Sequence, residues 1–199
     1  MSAASELPLF PLSTVLFPGG PLRLRIFEPR YLDMVRHCLK ESRAFGVVLI
    51  LEGAETGEAV SVAAIGTSAR VVDFDTLPDG LLGIDCVGEQ RFRLRRRWQQ
   101  SDGLNLAEVD YLPDDAPCAL PTELAHLGDL LREVLPQLGE RYAHVVARYE
   151  DAGWVADRWA EVLPLTAAEK QQLLELADPL ARFTPVAAWS TRQPPTEHV

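Results

Sequence analysis

ELPLFPLSTVLFPGG at residues 6–20, running straight into PLRLRIFEPRY at residues 21–31, decides the fold. The apolar residues of the first stretch keep a strand's spacing, but Pro8, Pro11 and Pro18 cannot donate to a hydrogen-bonded ladder. The segment therefore belongs along an edge or at a bulge. Leu22, Leu24 and Ile26 then alternate with Arg23 and Arg25, the period of a strand with one wet face. A helix is predicted at once: Glu28 stands at the cap, Pro29 suits the first helical position, and Tyr31, Leu32, Val35, Cys38 and Leu39 recur at helical spacing.

Outward from this start the pattern stays mostly β. Strands are predicted over residues 45–51, 60–74, 81–87, 90–98 and 104–112. Pro78-Asp79-Gly80 and Asp102-Gly103 supply turns that tolerate positive φ, and Gly66 inside a strand implies a bulge or a barrel corner. Several short antiparallel strands with one early helix fit a small, partly open barrel.

The period changes after residue 112. Residues 113–121 hold three prolines with Asp114 and Asp115, a composition that ends strands and marks a junction. Helices are predicted beyond it. Thr122 caps a helix with an apolar face at Leu124, Leu127, Leu131, Val134 and Leu138, which Pro136 ends or bends. Tyr142, Val145, Val146 and Tyr149 form a second stripe, and Trp154, Val155, Trp159, Val162 and Leu163 a third. Thr166 with Glu169 is a capping box opening a fourth helix through Leu173, Leu174 and Leu176, and Asp178-Pro179 starts a fifth turn toward Phe183 and Trp189. The expected organisation is α+β: a barrel domain over residues 1–115, a helical bundle over 121–190, and a loose tail over 191–199.

The opening pattern, together with FGVVLI (45–50), IGT (65–67) with ARV (69–71), LPDG (77–80), GEQRFR (88–93) and LPLTAAEKQQLLE (163–175), resembles the amino-terminal substrate-binding domain of the ATP-dependent Lon protease. The ordered series covers roughly residues 6–183. What the resemblance implies is a PUA-like β-domain followed by a helical bundle, with a role in recognising substrates or partners. Its landmarks carry Glu28, Arg30 and Tyr31 in the "E.RY" position, and Arg70 and Arg91 as basic positions after "GT" and "G". Three of them have a plainer structural reading: Glu28 as a cap, Arg30 and Arg70 as ties between helix and barrel through buried ion pairs.

Composition excludes several function classes. Of 199 residues, 47% are hydrophobic, enough to bury a core, yet no apolar run approaches the roughly 20 residues of a membrane span. The start lacks the basic-then-apolar pattern of a secretory signal, so a soluble cytoplasmic protein is expected. Cys38, Cys86 and Cys118 show no CxxC or ligand spacing, and reduced, partly buried thiols are expected rather than a disulfide framework or zinc site. The net charge of -10 is shared evenly between residues 1–120 and 121–199 at -5 each. That balance argues against a nucleic-acid partner, because general nucleic-acid binders draw most of their affinity from phosphate neutralisation.

Catalytic motifs are missing. Full-length Lon proteases join an ATPase module and a Ser-Lys peptidase to the domain this chain resembles. The sequence holds no Gly-x-x-x-x-Gly-Lys-Ser/Thr, its two lysines, Lys40 and Lys170, lie on predicted helices, and His37, His126, His144 and His198 form no HxxxH or HExxH pair. Asp73 and Asp75 near a turn, and Asp85 within a strand, read as solvated carboxylates. No cofactor or metal is expected.

The arginine run at residues 90–98 is the one concentrated charge feature. Strand geometry places Arg91, Arg93, Arg95 and Arg97 on one face and Phe92, Leu94, Arg96 and Trp98 on the other. Such a face is either a cationic stripe for an acidic peptide, a phosphate or RNA, or a solvated edge offset by Glu108 and Asp110 on the next strand. The expectation is a stand-alone, ATPase-free relative of the Lon domain that binds polypeptide or a protein partner, with Glu28, Arg30, Tyr31, Arg70, Arg91 and Arg93 as candidate contacts. RNA or phosphoryl-ligand binding through the stripe, and an enzyme site in a barrel–helix cleft, are the alternatives.

Overall fold

The computed structural model describes residues 5–55 and 59–186. Seven strands form one sheet: β1 (Ser5–Leu12), β2 (Pro21–Ile26), β3 (Phe45–Gly53), β4 (Ala59–Val62), β5 (Ile65–Thr76), β6 (Leu82–Gln99) and β7 (Asn105–Tyr111). Helix α1 (Pro29–Glu41) lies between β2 and β3, and α2 (Ala125–Val134), α3 (Ala152–Val162) and α4 (Ala167–Glu175) follow the sheet. The order β1-β7-β6-β5-β3 returns on itself because β1 also pairs in parallel with β3, Leu9 opposite Gly46 through Leu12 opposite Leu49. The ring falls short of a regular barrel, since β3 holds β5 over only Phe45–Val47. β2 hangs on the outside of β6.

The proline-rich start is β1, and despite its prolines it pairs on both sides over part of its length. Pro8 and Pro11 remove ladder donors, and β1 meets its two neighbours over offset stretches rather than along a full central strand. Two strand expectations change. The predicted strand over 60–74 is two strands, β4 and β5, broken at residues 63 and 64. The predicted strands 81–87 and 90–98 are one strand of 18 residues, β6. Its first half carries β2 on one side and the outer half of β5 on the other, and its second half carries β7. No turn residues separate the halves, and register shifts bend the strand instead.

Gly66 is a point of close approach. It pairs in register with Phe92, and the shift lies beyond it, between Thr67 and Ala69. A Cβ at Gly66 would run into the Val47 carbonyl oxygen and stand 2.7 Å from Val48 Cγ1 and 2.8 Å from Phe92 Cζ.

In the helical part, Thr122–Leu124 forms a 3-10 turn before α2, and Leu135–Tyr142 continues from α2 as 3-10 turns. The stripe Tyr142, Val145, Val146, Tyr149 is not a helix: Gly139 has φ 72 and ψ -156, which breaks the run, and the chain leaves in turns. Tyr142, Val145 and Tyr149 still pack against the core around Trp154 and Trp159, while Val146 is exposed. The third stripe is α3, buried nearly all round, and Thr166–Glu169 is a reciprocal capping box on α4. Leu180–Phe183 is a 3-10 turn; Trp189 and the predicted tail lie outside the described residues.

Phe10, Tyr31, Val35, Phe45 and Ile84 form the core between α1 and the sheet, and Leu9, Val48, Phe92 and Val109 a second core on the other side of the strands. Phe17, Ile65, Ala160, Leu173 and Leu174 make a third, shared by β-part and helices. Cys38 and Cys86 sit in the first core, and burial pushes the Cys86 thiol up to about 12, so both act as small apolar fillers.

Candidate binding site

The sequence candidates divide among three places. Glu28 occupies the N-cap position of α1, but its carboxylate makes no cap bond and pairs with Arg30 at 2.7 Å. Arg30 Nη1 donates to the Gly103 carbonyl at 2.9 Å, which ties the start of α1 to the β6–β7 turn. Its guanidinium also lies 4.9 Å from the centre of the Tyr31 ring, and Tyr31 stacks on Phe10 with centroids 3.9 Å apart. This end of α1 is thus held by its own charged residues.

Arg91 is almost fully buried. Its Nη1 donates to the carbonyls of Leu174 at 2.9 Å and Leu176 at 2.8 Å, closing the C-terminal end of α4, and its Nη2 donates to Asp115 at 2.7 Å. Asp115 also accepts from both terminal nitrogens of Arg182, at 2.6 and 2.9 Å, and Arg182 reaches Asp157 at 3.0 Å. Asp157 is fully buried on α3, and that desolvation raises its carboxyl to about 7 against the pull of Arg182 and Arg158. A second anchor runs alongside, where Arg158 donates to the Pro18 carbonyl at 3.0 Å and to Glu161. Asp157, Arg158 and Arg182 did not stand out in the sequence, and Asp115 was read only as part of the junction. The available signal was Asp157-Arg158 between Val155 and Trp159, a charged pair inside an apolar helix that is buried all round.

The predicted four-arginine face does not exist. The β6–β7 register shifts between Leu94 and Arg96, leaving Arg95 as the extra residue, so side-chain alternation inverts there. Arg93 and Arg96 then share a face with Asp110 and Glu108, their register partners, whereas Arg97 falls in register with Ala107 on the opposite face. Arg95 pairs with Asp110, Arg96 lies over the Trp98 ring, and Arg91 is buried under the helices. Arg93 remains as an exposed residue opposite Asp110. The offset by Glu108 and Asp110 is the arrangement observed.

Two concavities bring candidates together. A cleft of about 370 Å³ between sheet and helices has Arg70, Arg91, Asp115, His144, Trp154 and Asp157 in its walls. Arg70 there is exposed and paired with Glu89 at 2.8 Å, so it ties neighbouring strands rather than helix to barrel. A groove of about 270 Å³ runs beside β2, walled by Phe10, Leu12, Leu24, Ile26, Phe27 and Tyr31, with Glu28 also in its lining. Phe27 is 53% exposed there. β2 pairs with β6 on one side, and among the described residues no strand covers its other edge.

The family model described as the ATP-dependent protease La (LON) substrate-binding domain matches residues 6–189. A Lon protease from Anaeromyxobacter dehalogenans is 27% identical over 185 residues, 89% of this chain and 22% of that protein. The chain thus spans about a fifth of the curated Lon proteases it matches. Protein cereblon from Danio rerio is 31% identical over 126 residues, covering 59% of this chain and 29% of cereblon. Among solved structures, the Lon N-terminal domain protein from Xanthomonas campestris is 38% identical with a TM-score of 0.76, covering 93% of this chain and 98% of that one. The N-terminal domain of the Mycobacterium avium complex Lon protease, at 20% identity and TM-score 0.66, shares the fold.

Proposed function

This chain belongs to the LON substrate-binding domain family, and from that premise we propose that it is a non-catalytic module binding extended polypeptide, from an unfolded segment or a protein partner, along the free edge of β2. The observation that carries this reading is the apolar groove beside that edge, with Phe27 half-exposed in it. A peptide added there gains main-chain hydrogen bonds from β2, and alternate side chains enter the groove. The described lining is apolar side chains with Arg23, Arg25, Glu28 and Glu55, a set that offers grip but pairs no nucleophile with a base. The named role of the family, binding a protease's substrates, points the same way.

Anisotropy of a fluorescently labelled, permanently unfolded polypeptide tests this. Phe27→Asp and Leu24→Asp are expected to weaken binding at least tenfold, an effect typical of a central apolar anchor. Phe74→Asp, at an equally exposed phenylalanine outside the groove, is the control expected to leave it unchanged. Wild-type affinity in Phe27→Asp, or no binding at high micromolar protein, overturns the reading.

A further inference from the structure

We infer that Asp73, Asp85 and His144 form a binding site for a divalent transition-metal cation at the rim of the barrel–helix cleft. Asp73 and Asp85 are direct register partners across β5 and β6, just past a shift in the ladder. Two carboxylates in that position repel, and the guanidinium of Arg23 beside them is shared between Asp85 and Asp75. The third member comes from a distant part of the chain: His144, in the turn after the 3-10 segment, brings Nε2 to 3.8 Å from Asp73 Oδ2. That is too long for a hydrogen bond. One donor atom from each of the three lies within 4.8 Å of the others. Ligands bound at about 2.1 Å to one ion sit roughly 3 to 3.5 Å apart, a gap that small rotations of the exposed Asp73 and His144 side chains toward Asp85 close.

The carboxylates are also held from behind. Asp73 Oδ1 accepts from the Phe74 backbone N–H at 2.8 Å, which leaves Oδ2 toward His144. Arg23 donates to Asp85 Oδ2 and, at 2.6 Å, to Asp75, leaving the other Asp85 oxygen free. Bonds of this kind to the non-ligating atom are how outer partners orient metal ligands. Three aspartates face one guanidinium, so two negative charges remain uncompensated locally, a match for a divalent ion. One imidazole with two carboxylates suits Zn²⁺ or Mn²⁺ better than the all-oxygen preference of Ca²⁺ or Mg²⁺. The ion ties the turn holding His144, which lines the cleft, to the barrel strands β5 and β6.

Calorimetric titration of the full chain with Zn²⁺, in a Cys118→Ser background that removes the partly exposed thiol, tests the site. One ion per chain at micromolar affinity is expected, with Mg²⁺ failing to compete at a hundredfold excess. Asp73→Asn and His144→Gln each weaken binding at least tenfold, while His126→Gln leaves it intact. Co²⁺ supplies a second readout, its visible absorption appearing with the parent protein and vanishing with either ligand variant. Undiminished Zn²⁺ binding in Asp73→Asn or His144→Gln overturns the site, as does the absence of binding by the parent protein.

Discussion

Asp157 concentrates the physical tension of this molecule in a single carboxyl group. It lies wholly inside, with Arg182 at 3.0 Å, and burial still lifts it from 3.8 to about 7. The folded state therefore holds a proton that the unfolded chain releases above about pH 4. By linkage, the stabilisation this group gives is complete below pH 3.8 and is lost as pH rises toward 7. Asp157→Asn keeps the shape and removes the titration. Its thermal midpoint is expected to fall less between pH 5 and pH 7.5 than that of the parent protein, by about the slope of one proton. Equal slopes in the two proteins, followed by calorimetry across that range, would remove Asp157 from the account. Arg91 belongs to the same cluster, and its buried bonds to Asp115 and the end of α4 engage a residue singled out as a contact in holding sheet and helices together.

Elements were legible where one local rule governed them. Pro29 at the first turn of α1 and the Thr166–Glu169 box both act within four residues, and both are present as read. The failures come from interactions that no local window contains. The inversion at Arg95 depends on register with β7, and the length of β6 depends on three partner strands. Gly66 shows the distinction well: a glycine in a strand signalled something, but whether bulge or close approach was decided by Val47 across the sheet. Gly66→Ala is accordingly expected to destabilise by about 2 kcal/mol, the scale of overpacking, because its obstacle includes rigid backbone. Gly80→Ala is the comparison. Nothing stands within 4 Å of its Cβ position, so any cost there comes from its φ of +82 alone. Urea denaturation of both variants separates crowding from backbone strain, and an unperturbed Gly66→Ala would mean that β3 and β5 are looser than described. The β2 groove was not legible, since the edge was expected at the proline-rich β1 and the groove's walls come from β1, β2 and α1 together.

At the scale of the whole chain, the junction at residues 113–121 reads as a linker, yet its Asp115 is a structural bolt between the two parts. Asp115 joins Arg91 of β6 to Arg182 beyond α4, Gln171 of α4 donates to the Ile65 carbonyl at 2.9 Å, and Phe17 and Ile65 are buried with Ala160, Leu173 and Leu174. Losing the helices would expose that third core to water and strip Arg91 of its bonds to the Leu174 and Leu176 carbonyls. Barrel and helices are therefore expected to unfold together. The barrel carries its own probes, Cys38 on α1 and Cys86 on β6, both buried, and far-UV circular dichroism follows α2, α3 and α4 together with α1. In a Cys118→Ser background, thiol labelling and helix loss are expected to share one midpoint in urea, as a two-state transition requires. If part of the helix signal is lost in an earlier transition while the two barrel thiols stay protected, the halves are independent units and the charged cluster around Asp115 does not couple them.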